Sequence, residues 1–236
     1  MPKVRIEMIF DPSCPWCYIG RRQLREAVAA RPQINVEIKR WPFILNPEVP
    51  PPGADRQSYL CRKYGSDARL RRMHDAIEEV GRGIGLRFAF DAIRWTPNTM
   101  LAHRFLLYAD GQDRGEEALE AVFAAYFQHG RDIGDPRVLV SIGATVGLDP
   151  RAIGSFLKTL AARERVLIAN QRAHRLGING VPTFVFDNRL IICGAQEPAT
   201  LARMLDAASQ ITAVFGQLPG EPMPPRVSPP PEETFN

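Results

Sequence analysis

The chain has 236 residues, 45% hydrophobic and 24% charged, which is enough apolar content for a buried core and excludes disorder along its whole length. A net charge of +4 without dense Lys/Arg runs excludes the electrostatic footprint of a nucleic-acid-binding protein, and Arg62, Arg69, Arg71 and Arg72 read as a solvated helix face. No apolar run approaches the roughly 20 residues of a membrane span, and four cysteines are too few for a disulfide scaffold at this length.

From the N-terminus, Val4, Ile6, Met8 and Phe10 alternate with polar neighbours and predict a strand over about residues 3 to 10, not the apolar stretch of a secretory signal. The expected location is therefore the cytoplasm. Trp16, Ile19, Leu24, Ala27 and Val28 then share one helical face behind Pro15, and Ile34, Val36 and Ile38 begin a second strand. A βαβ opening of this kind points to a parallel pair.

After the Val49 to Gly53 loop the pattern becomes helical. Ser66 caps a helix carrying Leu70, Met73, Ile77 and Val80, Thr96-Pro97 opens an apolar helix through Leu101, Phe105 and Tyr108, and Leu119 to Phe127 form another. Asp135-Pro136 and Asp149-Pro150 each place an N-cap acid before a first-turn proline, and Gly177 ends the last helix of this block. Thr183 to Phe186 and Leu190 to Cys193 predict a hairpin about Asp187-Asn188, followed by a helix bearing Leu201, Met204, Leu205 and Ala208. The fold class is α/β, in the order βαβ, helical block, ββα.

The strongest chemical signal is Cys14-Pro15-Trp16-Cys17, where the first strand feeds its helix. With one cysteine at the helix start and the other a turn later, the sulfurs can meet in a small disulfide ring. Unpaired N–H groups and the helix dipole stabilise a thiolate on Cys14, which makes Cys14 the nucleophile and Cys17 the resolving cysteine. The same spacing is half of many zinc sites, but Cys61 and Cys193 stand alone and His74, His103, His129 and His174 form no second ligand pair, so no metal is expected. Cys61 reads as a bystander and Cys193, beside Leu190, Ile191 and Ile192, as a small core residue. Arg82-Gly83-Ile84-Gly85 lacks the strand and the Gly-Lys-Ser/Thr of a phosphate loop. The second signal is Gly180-Val181-Pro182-Thr183, with proline at the one position where a strand accepts it readily, its start.

These segments together resemble the DsbA family, and most closely its FrnE-like branch. The likeness rests on Asp11-Pro12-Ser13-Cys14-Pro15-Trp16-Cys17-Tyr18-Ile19-Gly20, Pro42-Phe43 to Leu45-Asn46-Pro47, Asn98-Thr99 with Ala102-His103-Arg104, Ala125-Tyr126-Phe127, and Gly180 to Phe184 with Gly194-Ala195-Gln196. The resemblance implies a thioredoxin-like fold with a large all-helical insertion between its βαβ and ββα halves. Residues 1–49 and 178–216 would form the thioredoxin-like domain, 50–177 the insertion and 217–236 a proline-rich tail. It further implies a Cys14–Cys17 redox pair, a cis-proline at Pro182, and a substrate groove framed by Pro15, Trp16, Val181, Pro182 and Thr183. Asn98 and His103 would neighbour that site, although a buried, hydrogen-bonded His103 fits its apolar helix equally well.

The implied activity is thiol–disulfide exchange with protein or peptide thiols, without an organic cofactor and with glutathione as a further co-substrate; a monomer and a dimer are both compatible with it. The related 2-hydroxychromene-2-carboxylate isomerases and kappa glutathione transferases offer a glutathione-dependent alternative, but they need no resolving cysteine. A non-catalytic binding module on the same fold is the other alternative. Seven prolines between Pro219 and Pro231 predict an extended segment outside the core. A chain ending at Gly216 should therefore keep disulfide reductase activity on a small substrate within about twofold of the full-length protein; lost activity at an unchanged melting temperature would assign the tail to the site.

Overall fold

The computed structural model describes residues 3–218; the stretch from Pro219 onward, with the seven prolines read above as a tail, lies outside the described residues. In chain order the elements are β1 (Lys3–Phe10), α1 (Pro15–Ala29), β2 (Asn35–Pro42), β3 (Ala54–Asp55), α2 (Arg56–Tyr64), α3 (Asp67–Gly83), β4 (Trp95–Thr96) and α4 (Met100–Gly111). There follow α5 (Gly115–Phe127), α6 (Pro136–Thr145), α7 (Pro150–Lys158), α8 (Arg163–Arg175), β5 (Thr183–Phe186), β6 (Leu190–Cys193) and α9 (Pro198–Phe215). They group into two compact units, one of residues 3–45, 76–86 and 169–218, the other of 46–75 and 87–168.

The first unit is built on a four-stranded mixed sheet of order β2-β1-β5-β6. β1 runs parallel to β2, with Lys3 opposite Asn35 and Phe10 opposite Pro42, and antiparallel to β5, with Ile6 opposite Phe186 and Ile9 opposite Thr183. Paired on both sides, β1 is also buried on both faces, which is why Ile9 breaks its alternation. Ile9, Trp41 and Val185 pack with Ala169 and Ala173 of α8 on one face. On the other, Gly20 of α1 lies against Phe184, and Arg31, just beyond the end of α1, pairs with Asp206 of α9 at 2.8 Å. The β5–β6 hairpin turns through Asp187 and Asn188, both with positive φ, and Arg189 N–H closes the turn on the Phe186 carbonyl at 3.0 Å. This is the type I′ geometry that Asp and Asn tolerate.

β6 is the sheet edge, and here one expectation fails: Cys193 is exposed, not a core residue. The face of β6 that carries Cys193 also leaves Ile191 half in solvent, so an apolar run of sequence does not by itself mean burial on both faces.

In the second unit α4 to α7 pack together around Phe105, Phe123, Tyr126, Phe127 and Phe156. Asp135 and Asp149 cap α6 and α7 as their sequence predicts, accepting from Arg137 N–H at 2.8 Å and Arg151 N–H at 3.0 Å. The buried Arg104 closes the far end of α7, donating to the carbonyls of Phe156, Thr159 and Ala161. The unit is not purely helical, because β3 and β4 pair antiparallel, Ala54 opposite Thr96. That pairing takes up Thr96 and delays α4 to Met100, whose N–H is accepted by Asn98 Oδ1 at 3.1 Å. Among the described residues no helix is long and apolar enough to cross a membrane.

A buried charge pair joins the sheet of the first unit to α8. Glu7 of β1 meets Arg172 of α8 at 2.9 Å, and the guanidinium lies 4.3 Å from the Trp41 ring centroid. Breaking such a pair strands a charge, whereas replacing both partners by apolar groups need not destabilise. Arg172→Met alone should therefore lower stability by about 3 kcal/mol, and Glu7→Leu with Arg172→Met should recover most of it, as read by urea unfolding.

Candidate active site

The end of β1 sets the geometry of the cysteines. Asp11 follows the last strand residue, and its carbonyl accepts Cys14 N–H at 3.1 Å, so the chain turns within Pro12 and Ser13. Cys14, with extended backbone, is the N-cap of α1; Pro15 supplies the first turn, and Cys17 N–H bonds the Cys14 carbonyl at 3.1 Å. This brings the two thiols into hydrogen-bonding contact with each other. Cys17 is fully buried, Cys14 is 4% exposed, and the intervening Trp16 lies 37% in solvent. Burial pushes the Cys17 thiol well above the ordinary thiol range. The hydrogen bond and charge of Cys14 and the Asp11 carboxylate act in the same direction, while the Asp11 backbone N–H opposes them.

The opposite wall comes from the far end of the chain. The Val181–Pro182 peptide bond is cis, and the Val181 carbonyl faces the Cys14 thiol at a sulfur–oxygen distance of 3.5 Å. Thr183 is buried, its hydroxyl donating to the Gly180 carbonyl at 2.8 Å, and Gly194 N–H holds the Pro182 carbonyl at 2.7 Å. Gly20 permits this closeness: a Cβ there would stand 3.0 Å from Pro182 Cγ and 3.2 Å from Phe184 Cζ.

Cys14, Cys17, Val181, Pro182 and Thr183 thus belong to one unit, and Pro15 and Trp16 lie in the helix turn between the cysteines. Asn98 and His103 belong to the other. There the Asn98 amide donates to the Val49 carbonyl at 2.7 Å and His103 is completely buried in α4. Asp11 was quoted above as part of a motif without a role; an acid two residues before a serine is the sequence signal of the turn it makes.

A cavity of about 400 Å³ in the second unit, lined in part by Arg56, Asp67, Arg71, His74, Phe90 and Arg94, contains neither cysteine of the pair. His74 stacks on Phe90 with ring centroids 4.1 Å apart, and burial beside Arg56 lowers its pKa to about 4. Asp67 accepts from Gln57 and Cys61, both at 2.6 Å, so this acid and Cys61 satisfy one another. Among the described residues no cluster of three or more His, Cys, Asp or Glu is arranged to hold a metal ion.

A four-stranded mixed sheet with a CxxC pair at its first helix start, facing an X–Pro bond at a strand entry, defines a thioredoxin-type fold of the thiol oxidoreductase class. The chain belongs to the DSBA-like thioredoxin domain family, whose model matches residues 5–206. It is 28% identical over 189 residues to the uncharacterized protein YwbO of Bacillus subtilis, covering 80% of this chain and 89% of that one. It also superposes on the probable DsbA oxidoreductase SCO1869 of Streptomyces coelicolor with a TM-score of 0.81 at 29% identity, over 87% of this chain and 89% of that one. Its likeness to a 2-hydroxychromene-2-carboxylate isomerase, TM-score 0.67 at 16% identity over 89% and 97% of the two chains, is one of fold alone.

Because a thiol is inert until it ionises, the raised Cys17 should stay unreactive at neutral pH in the reduced protein. Iodoacetamide at pH 7 should modify Cys14 well before Cys17, with Cys17 labelling appearing only as the pH rises past the ordinary thiol value of about 8.5. Peptide mapping of the alkylated protein checks this, and Cys17 labelled first would reverse the roles.

Proposed function

We propose that the protein is a thiol–disulfide oxidoreductase that cycles Cys14 and Cys17 between dithiol and disulfide, acting on protein or peptide thiols in the cytoplasm. The observation that carries this reading is the pair itself: two thiols in contact at a helix start, one fully buried, with the outer one against the Val181 carbonyl.

In the reducing direction the Cys14 thiolate attacks one sulfur of a substrate disulfide, and the other sulfur leaves as a thiolate. Cys17 then gives up its proton to solvent or to that departing thiolate, attacks the Cys14 sulfur and expels the remaining substrate thiolate. The protein is left as the Cys14–Cys17 disulfide, which an external thiol, glutathione among them, returns to the dithiol. In the oxidising direction a substrate thiolate attacks Cys14 of the disulfide form. Trp16, exposed between the cysteines, and the half-buried Val181, held by the buried Pro182 and Thr183 behind it, would supply the surface on which an extended peptide lies.

Removing the resolving thiol leaves the first exchange intact and blocks the second. Cys17→Ser should accumulate mixed disulfides with cell-extract proteins, and Cys14→Ser should not. The parent should accelerate insulin reduction by dithiothreitol, with Cys14→Ser falling to the uncatalysed rate. Equal trapping by both variants would leave only a binding role, and glutathione as the sole adduct would favour the glutathione-dependent alternative.

A further inference from the structure

The cavity of about 400 Å³ in the second unit is walled by α2, α3 and the turn from Phe90 to Arg94, and hydrogen bonds fix those walls to one another. Arg56 N–H at the start of α2 donates to the Arg94 carbonyl at 3.0 Å, Gln57 and Cys61 of α2 share Asp67 of α3, and Ala89 N–H fastens the near end of the turn to the Phe127 carbonyl at 2.7 Å. The cavity is therefore preformed, and a ligand entering it need not order its walls. Its apolar lining is Leu60, Leu70, Phe90 and Ile93, all buried. His74 adds its ring, stacked on Phe90, and since burial beside Arg56 lowers its pKa to about 4 it carries no charge at pH 7.

Three arginines and three acids share this lining, so its formal charges balance, and what distinguishes them is how their side chains are engaged. Asp55 caps α2, accepting Ser58 N–H at 2.9 Å, and Asp67 holds its two donors. Arg56 is turned into the wall, donating to Tyr126 Oη at 3.0 Å with its guanidinium 5.8 Å from the Phe90 ring centroid. Arg71 of α3 and Arg94 of the turn are exposed, and among the described residues their guanidinium groups make no hydrogen bond or ion pair, although three carboxylates line the same cavity. Two open forks on different walls above an apolar floor match a planar or tetrahedral acid group joined to an apolar body. We propose that this cavity binds a small organic anion, its carboxylate or phosphate head held by Arg71 and Arg94 at the mouth and its body laid against Leu60, Leu70, Ile93 and the Phe90–His74 stack. The site is independent of the reading of Cys14 and Cys17, because its residues all lie in the second unit and both cysteines in the first.

The test is isothermal titration calorimetry of the full-length protein with phenyl phosphate and with benzoate, which carry the two head groups on the same ring. At least one should saturate with a Kd below about 1 mM, and the tighter of the two names the head group. Inorganic phosphate or acetate, the head alone, and phenol, the ring without the charge, should each bind at least about tenfold more weakly. Arg71→Gln and Arg94→Gln should each weaken the tighter probe about tenfold. Arg62→Gln and Arg69→Gln, which remove the same charge from exposed positions of α2 and α3 outside the cavity, should leave its affinity unchanged.

No saturable binding of either probe up to about 10 mM overturns the proposal. So does a head or a ring that binds as tightly alone as the whole probe, and so does equal weakening by the Arg62 and Arg69 variants, which would make the attraction one of diffuse charge. The ligand is also located without any substitution: on titration of the parent followed by NMR, the ring signals of His74 should shift while those of His174, in the first unit, stay in place. Movement of both, or of neither, overturns the proposal equally. The dithiol enters none of these readouts, so a failure here leaves the reading of Cys14 and Cys17 as it stands.

Discussion

The structure depends on where one strand stops. β1 is hydrogen-bonded to β2 on one side and β5 on the other, and both of its faces are covered, so its end is fixed in three directions. Directly beyond it, Asp11 uses its carbonyl for Cys14, its carboxylate for Ser13 and Leu45, and its N–H for Cys17. The cysteines therefore sit on a rigid element and inherit its position. A site whose chemistry needs two sulfurs in register benefits from such support more than from any single strong contact.

The groups that brace this arrangement are polar, and they are placed where a missing partner would be costly. Glu7 and Arg172 bring α8 onto the sheet with the arginine lying over Trp41. Asn170, on the same helix, holds the Ile44 amide close to the Asp11 anchor. Asp187 at the hairpin accepts from Arg5 N–H at 2.7 Å and from the buried Thr212 hydroxyl of α9, so the hairpin, the first strand and the last helix share one carboxylate. The apolar core supplies the driving force, and these pairings select one register from the many it would tolerate.

Much of this was legible in the amino acids. The order of strands and helices follows from periodicity, and the proline-started helices from their N-cap acids, because both are local rules. Cys14 and Cys17 were readable for the same reason, since a CxxC at a strand-to-helix junction states its geometry in four residues. What escaped was non-local. Thr96 was drawn into a strand by Ala54, far from it in the chain. Cys193 looked buried because its neighbours are apolar, but position at a sheet edge is decided by strand order, which no window of sequence contains. Asp11 was visible as a turn former; only the fold shows that its buried carboxylate also holds Leu45 N–H.

The two walls of the site come from opposite ends of the chain: Val181 lies 167 residues after Cys14. At translation rates of about 5–20 residues per second, roughly ten to thirty seconds separate their synthesis. Through that interval β1 has no β5 to pair with, and the dithiol has no Val181 beside it. The nascent protein thus carries two open thiols before it has a site to hold them, and its earliest-made chemistry is the last to be enclosed. Folding of the sheet must wait for the C-terminal hairpin, so the completed pocket is a property of the finished chain and of no N-terminal fragment released before it.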